Sequence, residues 1–266
     1  MRTALLLSLL VVSVGQNTHA QSLEELMKRA MEQSQQSAGG GAGSVTIEEN
    51  NDPFEPLGFT GSYKMEVHNY KSGKEDKDSP MFVDLAFTDD KMAIAPHSSS
   101  AAKQDMRMIY DLKNKFTYTL TTDENGKRTG MKMKMMKVNV DEKEGKASSD
   151  KTKVVRTDET RTIAGHTCRK YTFSDETGSG EAWIAEDVKF DPSKAMGTMV
   201  GGKKVENWQK TPYTGLVMET TWNDANGKDK MVMYCKDLVV GKVDEAAFST
   251  SGYEIMDMSN MPMFGK

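Results

Sequence analysis

The groups in this chain that could bind a metal or carry redox chemistry are thioethers, two thiols and a few imidazoles, and the thioethers are densest in GMKMKMMKV, Gly130 to Val138. There, four methionines and three lysines fill seven consecutive positions. Three chemistries compete for such a stretch: a soft-metal site, a membrane-active segment, and one wall of an apolar cavity. Thioethers suit Cu(I), and the tail repeats the residue type at Met256, Met258, Met261 and Met263. Methionine is also dispersed over Met65, Met81, Met92, Met106, Met108, Met218, Met231 and Met233. A flexible, polarizable side chain spread in this way fits an apolar lining better than one metal cluster. A membrane-surface helix would show a helical amphipathic period, which the stretch lacks.

In an extended strand Met131, Met133 and Met135 share one face, with Lys132 and Lys134 on the wet face. Met136 and Val138 then continue the apolar set on the other parity. A one-residue bulge near Met135 and Met136 restores a continuous apolar face. The expected cavity-lining, ligand-binding set is Met106, Met108, Phe116, Tyr118, Met131, Met133 and Met135.

Hydrolytic chemistry finds little to work with. His68, His97 and His166 are scattered and none sits in an HExxH spacing. No GxSxG elbow and no CxxC occurs. A non-catalytic protein without a cofactor, a metal-ligand set or catalytic residues is therefore expected.

The two cysteines, Cys168 and Cys235, each fall in an expected strand, and a bridge between them would close a loop of about 68 residues, contributing roughly 4 kcal/mol if unstrained. Two separate buried thiols is the alternative. The compartment favours the bridge, because the chain opens MRTALLLSLLVVSVGQNTHAQS. One positive charge, an apolar run from Ala4 to Val14 and Thr18-His19-Ala20 before Gln21 make a secretory signal peptide over residues 1–20, cut after Ala20, and hence export to a periplasm. The apolar run is too short to span a bilayer, which needs about 20 residues, and no later run is longer. No cysteine follows the cut, so a lipid anchor is not expected.

Arg2 is the one charged residue in the leader, so its removal moves the net charge from −4 to −5. Both signs are interspersed, which argues against a nucleic-acid partner. Residues 21–44 read as a helix from Ser22 to Ser37 and a glycine-rich linker from Ala38 to Ser44. The helix has a capping box at Ser22/Glu25 and an apolar stripe at Leu23, Leu26, Met27, Ala30 and Met31.

From Phe59 the period becomes 2: Tyr63, Met65 and Val67; Met106, Met108, Tyr110 and Leu112; Phe116, Tyr118 and Leu120. The Asn-Gly pairs in Asp123–Gly126 and Asp224–Gly227 suit type I′ hairpins; neither has the spaced ligands of a calcium loop. DEKEGKASSDK, 141–151, is a charged loop between two strand-rich halves. Strands follow over 152–163, 166–173, 180–185, 216–222 and 228–240. A weak helical segment over 194–208 starts at Asp191-Pro192, and a turn is expected around Asp244 to Phe248. Ten or eleven strands in one domain, 45–266, make an antiparallel barrel or half-barrel.

ETRTIAGHTCRKYTF, then GEAWIAEDV, GLVMETTW and VDEAAFSTSGYEIM, resemble a family of secreted bacterial domains of unknown function related in fold to the lipoprotein carrier LolA and its receptor LolB. The carrying pattern is Ile163, Gly165, Cys168 and Tyr171, then an acidic-aromatic strand around Trp183. The resemblance implies an incomplete antiparallel β-barrel in a periplasm, with helices across its concave face and no catalytic residues. The function it implies is a binding or carrier protein for a lipid, acyl chain or other apolar ligand, with an envelope protein as a possible partner. A methionine-based copper-binding protein and a structural envelope protein without a ligand are the alternatives.

Overall fold

The computed structural model describes residues 45–98, 105–140, 153–191, 194 and 213–260. The expected signal peptide, N-terminal helix, linker, charged loop, Met261, Met263 and all of the inserted helical segment except Lys194 lie outside these residues.

The described chain is almost entirely β. In order, the strands are β1 (Val45–Glu49), β2 (Gly61–Lys71), β3 (Lys74–Glu75), β4 (Met81–Phe87), β5 (Lys91–Ser98), β6 (Asp105–Asp111), β7 (Phe116–Thr122), β8 (Arg128–Lys134), β9 (Met136–Val140), β10 (Lys153–Ile163), β11 (His166–Asp175), β12 (Gly178–Ala185), β13 (Leu216–Asp224), β14 (Asp229–Val240) and β15 (Glu254–Asp257). Thirteen of them form one open sheet in the order β10-β11-β12-β13-β14-β2-β4-β5-β6-β7-β8-β15, with β3 on β2. Every pairing is antiparallel except that of β15 with β8. The edges, β10 and β15, do not meet, so the sheet is not closed.

The irregularity expected at Met135 and Met136 is a strand exchange. β8 ends at Lys134, Met135 bonds to the Lys115 carbonyl at 2.8 Å, and the chain leaves to pair as β9 with β1.

The hairpin expectation needs correction. Gly126 and Gly227 have positive φ, but neither preceding asparagine does. Gly126 N–H donates to the Asp123 carbonyl at 3.0 Å, and Asp123 Oδ1 accepts from Asn125 and Lys127. The aspartate thus holds a type I turn with a left-handed glycine after it. Asp224 does the same for Gly227 and Lys228. Two-residue turns with positive φ at both positions occur instead at Ser72-Gly73 and Ala164-Gly165, the second closing β10 onto β11 through Ile163 and His166.

Apolar residues are buried on both sides of the sheet. One core packs Phe59, Val83, Phe87, Met92, Ile94, Leu112, Met218 and Cys235. On the opposite side Ala86, Ala93, Ile109 and Leu120 are covered by Val243, Ala247, Phe248, Tyr253 and Ile255 of the C-terminal segment. Arg107 fixes that cover: its guanidinium donates to the carbonyls of Ala246 and Ser249 at 2.9 and 2.7 Å, the first inside and the second capping a 3-10 turn over Glu245–Phe248.

Gly130 lets β15 approach. A Cβ there would sit 2.5 Å from Ile255 Cδ1 and 2.7 Å from Leu120 Cδ2. Gly130→Val should therefore undock β15 and cost about 1–3 kcal/mol through overpacking. Faster proteolysis of the C-terminal segment would report it.

On the same side His68 lies between two carboxylates, Nδ1 at 2.5 Å from Glu75 and Nε2 at 2.7 Å from Glu66, with the Tyr234 ring edge-on at 5.9 Å. A neutral imidazole has one N–H, so donating to both acids requires the cation. Burial opposes that charge, but the two carboxylates outweigh it and raise the His68 pKa above its ordinary 6.5. Since the folded value is raised, the contribution is complete below 6.5 and is lost as pH climbs through the folded value. Melting temperature should fall over that window in the wild type, and His68→Gln should flatten the fall.

Candidate functional site

Cross-strand partners share a face, so the register assigns every methionine in the large sheet. Met65 pairs with Val83 and Cys235, Val67 with Met233 and Met81, and Met92 with Phe87 and Tyr110. Met108 pairs with Ile94 and Thr119, Thr119 with Met131, and Met131 with Met256. Alternation then puts Met106, Met133 and Met231 on that face as well. Apart from Met218, which sits at the bulge of β13, all methionines of the large sheet project from one face.

Two rows show how continuous this face is. One runs Tyr63, Leu85, Ile94, Met108, Thr119, Met131, Met256 across β2, β4, β5, β6, β7, β8 and β15. The other runs Tyr171, Ala182, Thr220, Met233, Val67, Met81 across β11, β12, β13, β14, β2 and β4. Beside the second row Phe173 and Trp222, both opposite Gly180, stack at 5.6 Å between centroids. A Cβ on Gly180 would meet Phe173 Cε2 at 2.9 Å, so the glycine makes room for the stack.

Along the first row Ile94 at 8% exposure and Met131 at 5% are buried, Tyr63, Leu85, Met108 and Thr119 are part-buried, and Met256 at the β15 edge is 58% exposed.

Met106 and Met108 on β6 and Met131 and Met133 on β8 lie on one face of the sheet, with β7 between them. Met135 is buried in the central core at 2% exposure. Phe116 and Tyr118 are on the opposite face, which corrects the expected grouping: their partners are Lys134 and Lys132, Lys132 Nζ lies 4.1 Å from the Phe116 ring centroid, and Tyr118 packs under the C-terminal segment. Thr117, Thr119 and Thr121 occupy the methionine face of β7 instead. Lys132 is also more than wet surface, since it pairs with Asp257 at 3.0 Å. That contact, after the Ser259 hydroxyl and N–H, holds the Asp257 pKa down to about 2.

The cysteines are not bridged; both are free, buried thiols. Cys168 is on β11 and Cys235 on β14, with β12 and β13 between them. Three strand spacings of about 4.8 Å exceed the Cα separation of about 7 Å that a disulfide spans. Burial raises both thiols, Cys235 up to about 12, so neither forms a thiolate near neutral pH.

Among the described residues no three His, Cys, Asp or Glu side chains are placed to hold a metal ion, and no helix is long and apolar enough to cross a membrane. A concavity of about 580 Å3 lies on the face opposite the methionines, with Lys153, Thr172, Ser174, Glu181, Asn223 and Lys230 in its lining. Beside it Arg161 pairs with Glu219 and lies 4.2 Å from the Trp183 ring centroid. The walls of the concavity are of mixed polarity, Val155 and Phe173 joining the polar side chains.

No protein-family model and no curated protein matches the chain. Solved structures similar to it include PNGF-II, at 18% identity over 74% of this chain with a TM-score of 0.34; the chain spans 31% of that protein's length. A DUF1329 family protein from Desulfovibrio piger matches at 11% identity over 73% of this chain and 91% of its own, with a TM-score of 0.22. An outer membrane lipoprotein-sorting protein domain from Vibrio parahaemolyticus matches at 8% identity over 72% of this chain and 89% of its own, with a TM-score of 0.21. At these TM-scores none of the three assigns the chain to a family.

Proposed function

We propose that this protein is an exported, non-catalytic binding or carrier protein that takes an apolar ligand, a lipid or acyl chain, on the methionine face of its open sheet. The carrying observation is the segregation of the methionines. A sheet that used them only as filler would have no reason to keep them off its second apolar core, yet that core is built from Ala86, Ala93, Ile109 and Leu120 without one. Unbranched thioether side chains repack around partners of varied shape at little cost, which suits an acyl chain with no fixed conformation. We place this role in the periplasm.

Native mass spectrometry of the protein purified without detergent from the exported fraction tests this reading. The expected result is a population carrying an added mass that organic extraction removes and identifies as a lipid or fatty acid. A bare protein that also fails to take up added fatty acid overturns it.

A further inference from the structure

The geometry points to a Cu(I) site made of thioethers at the β8/β15 edge: Met131, Met133, Met256 and Met258. This is a metal site beyond the apolar-ligand reading, and it rests on a local feature of the fold, the parallel addition of β15. That pairing puts Met256 directly beside Met131. The ladder continues one residue further, with Met258 N–H donating to the Lys132 carbonyl at 2.8 Å, so Met258 comes beside Met133.

Opposite-side contacts fix the facing. Asp257 reaches Lys132 and Ile255 packs on Leu120, both on the far side of the sheet, which leaves Met256 and Met258 on the near side with Met131 and Met133. The four Cα atoms mark out a rectangle of about 4.8 Å between strands and about 6.6 Å along them. Methionine has three rotatable bonds before its methyl, so four sulfurs from such a rectangle can converge on one ion between them. Soft, neutral thioethers select Cu(I) over Zn(II) and the harder divalent ions.

The site has an entry and a counter-charge. Met256 is 58% exposed at the free edge. Glu254, two residues before it and on the same face, is a carboxylate at the mouth whose ion pair with Lys127 is long, 3.8 Å. The buried thiols of Cys168 and Cys235 belong to other strands and take no part.

The test is anaerobic competition of the full-length exported protein with bicinchoninate for Cu(I), in wild type, Met133→Leu, Met256→Leu and a Cys168→Ala/Cys235→Ala variant. We expect the wild type and the cysteine-free variant to withdraw one equivalent of Cu(I), and each leucine variant to lose about 10- to 100-fold in affinity, as loss of groups that tune metal sites does. Met108→Lys, outside the four sulfurs, should weaken uptake of a fluorescent fatty acid and leave Cu(I) binding intact. Failure of the metal site is thereby separated from failure of the apolar site. Wild type that withdraws no Cu(I), undiminished binding in both leucine variants, or binding abolished in the cysteine-free variant overturns the proposal.

Discussion

Phe87→Ala should lower the free energy of unfolding by about 3–5 kcal/mol, the cost of emptying a large aromatic site that cannot collapse. Phe87 is 1% exposed and its ring lies 5.7 Å from Phe59, 5.2 Å from Phe190 and 5.9 Å from Tyr63. Those three rings come from β2, the segment before it and the segment after β12, so they cannot all close on the gap. Urea denaturation reads the change as a lower midpoint with an unchanged slope. A loss below about 1 kcal/mol would mean that the aromatic cluster is not the centre of the core.

The second large effect concerns binding. Met108→Lys should weaken uptake of a fluorescent fatty acid by about tenfold or more, because a bound acyl chain would have to desolvate the ammonium or leave that part of the face. Met108 is part-buried at the margin of the core, so a lysine stem can carry its head to water and melting temperature should fall less than for a fully buried site. Lys113→Glu, in the exposed turn between β6 and β7, should leave uptake unchanged. Lys132→Glu is a poor control, since it would set two acids against each other at Asp257.

Much of this arrangement is legible in the sequence. Strands with one polar face, such as β2 and β7, show a clean period of 2, and the chain order of the second half follows from its turns. β4 and β5 are harder to see. MFVDLAF and KMAIAP carry apolar residues on both parities, because their residues meet a core on each side of the sheet.

The same two-sidedness explains why Phe116 and Tyr118 fall on the wrong side of the expected site. Their alternation with threonine identifies an apolar face, but only the C-terminal cover shows which of the two cores that face belongs to. Val243, Phe248, Tyr253 and Ile255 are the signal, since so many apolar residues after the last long strand require a surface to cover. The methionine face itself is invisible without register: Met65, Met108, Met131 and Met233 are far apart in sequence, and only pairing through β5, β7 and β14 puts them on one side. The expected cysteine bridge fails for the reverse reason. Both residues are in strands as expected, yet sequence does not tell that two further strands lie between.

The most direct test of the central claim is a titration of the detergent-free protein with a fluorescent fatty acid, run on wild type and on Met108→Lys with their melting curves matched. Saturable binding by the wild type that is weakened about tenfold or more in the variant is the predicted result. No saturable binding by the wild type, or equal binding by both proteins, would contradict a ligand seated on the methionine face.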